Sequence, residues 1–490
     1  MRLLYAAVLL AASFGAAAAP MGYEDARHLL DRAGFGATDR EIREFAALDR
    51  GEAVDRLLQG GRREAVTPPP AFVDAAIERP GKLKDDPEAR KALRRKLVQE
   101  GLELRAWWLQ EMLDTPSPLT ERMTLFWHNH FATSQRKVKA PQLMYRQNVL
   151  LRREALGNFA TLLHEVAKDP AMLVYLDNAR SRKGAPNENF AREVMELFTL
   201  GVGHYGEGDV KEAARAYTGW SVDPATGAYK YRPFFHDDGE KVVLGHRGHL
   251  DGDQVLDILL EQPATAQFIA EKMWREFVSP TPDETEVERW ARIFRAAHYE
   301  VKPLLRAIFL SDAFWSSANR AALVKSPVDV VVGTLRTFDI HPDDLRPGAV
   351  ACAVLGQDLF GPPNVKGWPG GDAWIDSATL LGREQFVDRV FRTADLGMQP
   401  VAMQETSMEA DKDKGSAKAP GARLQRLMQR GMGSYAFDDR RWLATLGTPR
   451  NDSRIDHLVL ASAAVDPVPA NLGIAARVRA LVADPAYQLK

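Results

Sequence analysis

Cysteine is almost missing from this chain: Cys352 is the only one in 490 residues, so no disulfide can form within it. That excludes the small exported modules that rely on disulfide staples. Cys352 lies in the run Gly-Ala-Val-Ala-Cys-Ala-Val-Leu with no neighbouring cation to lower its pKa, so it reads as a small core residue rather than a nucleophile. An excess of charge is missing too. The 64 Lys and Arg nearly balance 66 Asp and Glu, and net charge implies neither nucleic acid nor an anionic membrane as partner. Any partner must be sought in local chemistry.

Several motifs are also lacking. No Gly-x-Ser-x-Gly elbow or His-Glu-x-x-His zinc motif occurs. Gly34-Phe35-Gly36 follows no strand and reads as a corner between helices, not as a phosphate loop. Asp251-Gly252-Asp253 lacks the remaining calcium ligands, with Gln262 at the twelfth position. No period of 20 to 50 residues repeats often enough for a solenoid.

What is present begins with a leader. After Met1-Arg2 the chain runs apolar from Leu3 and ends in Ala17-Ala18-Ala19, the pattern a signal peptidase cuts. The apolar part is shorter than the ~20 residues that span a bilayer, which favours cleavage over a membrane anchor. No later stretch is both long and uncharged enough to span. Residues 1–19 are therefore expected to be a signal peptide, with the mature chain periplasmic or secreted and without an integral membrane segment.

Helix signals dominate the remainder. Thr38 to Glu41 and Asp209 to Glu212 have the spacing of capping boxes, with Gly219 closing the helix that follows the second. Ser117-Pro118 and Ser326-Pro327 each set a cap before a first-turn proline. A long charged helix is expected over Glu88 to Leu113, and others at Asp251 to Glu261, Pro263 to Val278, Asp283 to His298, Lys302 to Leu310 and Pro327 to Phe338. Strand signals are confined to Ala228 to Arg232 and Lys241 to Leu244, which predict one small hairpin. The Pro/Gly/Trp-rich run 361–371 cannot be helical and predicts a packed loop. The expected fold is all-α, with packed helical halves. The predicted organisation is a leader (1–19), an N-terminal helical half (20–222), a hairpin and connection (223–250), a C-terminal helical half with the Trp-rich loop (251–400), a linker (405–421) and a helical tail (422–490). Residues 405–421 have little to bury and predict a mobile segment.

The string Asn187-Glu188-Asn189-Phe190-Ala191-Arg192-Glu193-Val194-Met195-Glu196-Leu197-Phe198-Thr199-Leu200-Gly201 closely resembles the signature of the domain-of-unknown-function 1800 family. Trp127-His128-Asn129-His130-Phe131, Tyr175-Leu176-Asp177-Asn178, Thr218-Gly219-Trp220 and Pro363-Asn364-Val365-Lys366-Gly367-Trp368-Pro369-Gly370-Gly371 match its other landmarks in order, from about Gly22 to the C-terminus. The resemblance implies a large exported bacterial protein, often encoded beside a companion exported protein of the domain-of-unknown-function 1501 family. It implies no agreed activity.

The densest polar cluster lies on the signature helix. At ~100° per residue from Glu188, Arg192 falls near ~40°, Glu196 near ~80°, Asn189 near ~100° and Glu193 near ~140°, on one stripe opposite Phe190, Val194 and Phe198. The i,i+4 pairs in it would also suit a solvated face. His128, His130 and Asp177 are the other candidates. His128, Asp177, Glu188, Arg192, Glu193 and Glu196 are read as catalytic. His128, His130 and Glu193 could ligate a divalent metal such as zinc, iron or manganese, provided the helix ends near Thr133 so that the two imidazoles converge. His236-Asp237-Asp238-Gly239 could act as base and orienter, but Asp-Gly favours a plain turn. His28, His164 and His298 fit packed or surface roles. The expected function is a hydrolytic or metal-assisted enzyme, and the alternative is a non-catalytic envelope scaffold that docks a companion exported protein.

Overall fold

Capping chemistry starts many helices where the residues call for it. Thr38 and Glu41 satisfy each other's backbone N–H groups at the head of Asp39–Ala46, and Ser326 does the same with Asp329 at the head of Pro327–Thr337. Asp209 departs from expectation. The helix begins at Glu207, and the Asp209 carboxylate accepts from Gly206 N–H at 2.9 Å and from Leu244 N–H at 2.7 Å. It is thus the third residue of its helix, not the cap, and also fastens a strand end. Ser117 precedes the helix Pro118–His130 as expected, yet its hydroxyl donates to the Gly60 carbonyl instead of capping.

The computed structural model describes residues 19–78, 85–392, 432–448 and 451–490. Residues 1–18 of the expected leader and the expected linker 405–421 lie outside the described residues. The protein is mainly α-helical. The long charged helix spans Pro87–Asp114, and the later helices Gly252–Glu261, Pro263–Phe277, Glu284–Ala296 and Val301–Phe309 fall within two residues of the predicted limits.

Among the described residues the only sheets are two antiparallel ribbons: β1 (Trp220–Val222) with β2 (Tyr229–Tyr231), and β3 (Lys241–Val243) with β4 (His246–Gly248). The two predicted strands therefore do not pair with each other. Each finds a nearer partner, because Leu244-Gly245 makes a tight turn with both residues at positive φ.

One continuous cluster of buried apolar side chains runs from Ala26 to Tyr487. The expected corner at Gly34 packs within it, with Phe35 buried beneath the Arg122 guanidinium at 4.2 Å. The 361–371 run is a packed loop that buries Trp368, and Trp374 is buried just beyond it. Arg122 and Lys490 converge on the buried Asp329, Lys490 donating at 2.9 Å. Burial drives the Cys352 thiol well above its usual range, in keeping with a core residue. No helix among the described residues is long and apolar enough to cross a membrane.

Candidate functional site

The helix Pro118–His130 does not bring its two histidines together. The His128 ring is 2 % exposed, accepts from Asn148 Nδ2 at 3.0 Å and lies 4.6 Å from the Trp108 ring. Burial, with help from Arg152, pushes its pKa down to about 3. His130 donates from Nε2 to the Phe198 carbonyl at 3.1 Å and accepts from Lys272 Nζ at 3.0 Å. Burial also lowers Lys272, to about 8. The helix runs unbroken through His130, so the two rings diverge as the ~200° offset between them requires. Among the described residues no three His, Cys, Asp or Glu side chains gather as a metal-ligand set. The predicted ligands His128, His130 and Glu193 are thus not assembled, because both imidazoles are occupied in separate parts of the core.

The residue between them holds the next component. Asn129 Oδ1 accepts from the Trp368 N–H at 2.6 Å and anchors the 361–371 loop on the helix end. Gly367 sits there at φ +86°, and a side-chain carbon on it would collide with Asn129 Oδ1 and with the Asn129 carbonyl. Lys366 is carried on this loop.

The signature helix also departs from the ideal wheel. It is α-helical over Glu188–Glu193 and then widens to a π turn over Val194–Thr199, closed by Leu200 N–H to the Met195 carbonyl at 2.8 Å. The Thr199 hydroxyl donates to the Val194 carbonyl at 2.7 Å and supports the wide turn. The wide turn therefore shifts the register of the stripe after Glu193, although Glu196 stays within the field of Glu193. Glu188 is exposed, and Arg192 turns away to pair with Glu207 at 2.7 Å. Glu196 accepts from the Tyr205 hydroxyl, and burial together with this bond raises the Tyr205 phenol to about 12.

Glu193 lies half-buried at the start of the π turn. Burial and the like charge of Glu196 raise its carboxyl pKa, while Lys366 and Arg192 oppose the rise. Tyr175 lies within the field of Glu193, and burial together with that carboxylate raises its phenol. Lys137 Nζ is 5.7 Å from the centre of the Tyr175 ring and donates to Asp177 at 2.6 Å. Asp177 itself is at φ +62° with its side chain 68 % exposed, whereas the adjacent Asn178 is fully buried and donates to the Tyr217 carbonyl at 3.3 Å.

Of the six predicted catalytic residues, Glu193, Glu196 and Asp177 thus edge one neighbourhood. Arg192 acts on Glu193 by its charge while pairing outward with Glu207, Glu188 is exposed, and His128 is enclosed in the core. Tyr175, Lys366 and Asn129 join the predicted residues here, and each stands inside a family landmark of the sequence. Lys137 has no such signal. The His236 turn is structural: His236 Nδ1 donates to the Thr218 carbonyl at 3.0 Å, and Arg215 at 2.9 Å holds the Asp237 carboxyl down to about 2.

These features define a mainly α-helical protein whose landmark segments meet around a half-buried carboxylate. The chain belongs to the family described as Protein of unknown function (DUF1800), which matches residues 28–489. No curated protein and no solved structure matches it.

Proposed function

We propose that this protein is a hydrolytic enzyme working by general acid–base chemistry, with Glu193 as the proton-transferring group. The observation that carries the reading is a carboxyl biased toward its protonated form by burial and by Glu196, with a phenol and an ammonium in its field. A raised carboxyl pKa brings proton transfer nearer neutral pH. In this reading Tyr175 donates a hydrogen bond to the substrate and Lys366 offsets developing negative charge, while Asn129 positions Lys366 through the loop. Glu196 tunes Glu193. The work is done in the envelope or the medium, as the leader pattern implies.

The scaffold reading has its own support in two exposed ion pairs, Arg192 with Glu207 and Lys137 with Asp177, which are ordinary for a solvated docking face. A panel of chromogenic esters, glycosides and peptides, assayed over a range of pH, separates the two. Turnover that falls by about 100-fold or more in Glu193→Gln, at an unchanged or higher melting temperature, is the expected result. No turnover by the wild type, or equal turnover by the variant, leaves the scaffold standing.

A further inference from the structure

Two phenylalanines with uncovered rings lie outside the site described above. Phe234 is 92 % exposed and Phe235 38 %, side by side on the short 3-10 turn Pro233–Phe235 with ring centres 5.9 Å apart. The backbone beneath them is pinned, not loose. Phe235 N–H donates to the Arg232 carbonyl at 2.9 Å, and the Phe235 carbonyl accepts from Lys183 N–H at 2.8 Å. Phe234, held out on this braced turn, has almost no packing role in the chain itself, and Phe235 beside it keeps part of its ring uncovered.

The segments bonded to this turn carry several cations. Arg232 N–H donates to the Gly219 carbonyl at 2.8 Å, and Gly219 N–H to the Ser181 carbonyl at 3.2 Å, which brings the segment 180–183 alongside the turn. Arg180 and Arg182 are exposed and Arg232 partly so. None of the three guanidiniums has a carboxylate partner among the described residues. The nearby acids are occupied: Asp237 by Arg215 at 2.9 Å, Asp238 by Lys183 at 2.6 Å and Asp223 by Lys230 at 3.3 Å. An apolar tip beside segments that carry unpaired cations results, on a chain whose net charge is close to zero.

We infer that this turn docks on an anionic lipid bilayer, with Phe234 and Phe235 entering the boundary between headgroups and acyl chains and Arg180, Arg182 and Arg232 meeting lipid phosphates. Charge complementarity selects an anionic surface over a neutral one. The protruding tip selects a deformable interface, since a protein partner would need a matching pocket for each ring. The inference does not depend on the acid–base reading, because none of these residues belongs to the Glu193 neighbourhood.

The test is co-sedimentation of the full-length mature chain with vesicles of phosphatidylcholine alone and of phosphatidylcholine with phosphatidylglycerol, at low and high salt. Binding is expected to the mixed vesicles, not to the neutral ones, and high salt should release it. Phe234→Ser should weaken it by about tenfold and Arg182→Glu by about fivefold or more, with unchanged melting for both. Equal binding to neutral vesicles, or full binding by both variants, overturns the inference. So does capture by immobilised polyglutamate without vesicle binding, which would assign the patch to an acidic protein surface.

Discussion

The His128 imidazole, with Asn148 on Nε2 and Trp108 against its face, is a packing element that also satisfies a buried amide. His128→Ala is expected to cost about 2–4 kcal/mol by opening a cavity and stranding the Asn148 amide. Urea denaturation measures it, and a loss below about 1 kcal/mol would return His128 to the list of functional groups. Asp169 offers a sharper reading because its titration falls in an accessible range. It caps Pro170–Tyr175 through Met172 N–H at 2.9 Å and accepts from Gln147 at 2.9 Å, yet burial raises its carboxyl to about 7. Between about 4 and 7 the folded protein keeps a proton that the unfolded chain has released, so stability falls as pH rises through that window. Asp169→Asn retains a capping oxygen and should flatten this part of the stability profile. An unchanged slope in that variant would assign the pH dependence to another group.

At the scale of elements, the 361–371 loop and the helix end beneath it act as one unit through Asn129 and Gly367. Gly367→Ala combines a positive φ with a backbone collision, and a cost of about 2–3 kcal/mol is expected. Intrinsic fluorescence should shift at the same time, since Trp368 is buried and its backbone N–H is held by Asn129. A melting curve that overlays the wild type would show that the loop docks without Asn129. The capping box at Thr38 and the presence of the loop were legible in the sequence, because both depend on residues a few positions apart, whereas the box expected from Asp209 starts too late for a helix that begins at Glu207. The π turn was not. An ideal ~100° wheel assigned Glu193 and Glu196 to one stripe, and only the Thr199 hydroxyl bond and the closing bond from Leu200 reveal that the helix widens between them. The strand pairing failed for a related reason: turn chemistry at Leu244-Gly245 and the register of Trp220 with Tyr231 outweighed the simpler hairpin.

Across the whole molecule, Asp329 ties the helix Pro118–His130 to the chain terminus through Arg122 and Lys490. Burial alone would raise this carboxyl, but the two cations hold it far below the usual range. Its contribution is therefore complete above about pH 4 and is lost only as pH falls through the lowered folded value. Asp329→Asn removes the carboxylate shared by two buried cations, leaving Arg122 only its longer pair with Glu276 at 3.4 Å, and is expected to cost about 3–5 kcal/mol. Because the apolar cluster is continuous, circular dichroism and tryptophan fluorescence should report that loss as one shifted transition, and two separated transitions would contradict a shared core. The sequence by itself determined the helical class, the limits of the six helices it marked to within two residues, the buried thiol, the packed Trp loop and the family, since periodicity, caps and motif order are local properties of the chain. Tertiary structure alone decided which polar residues meet. Only folding spends His128 and His130 on the core, turns Arg192 toward Glu207 and sets Tyr175 and Lys366 around Glu193, because burial and electrostatic reach depend on segments far apart in the chain.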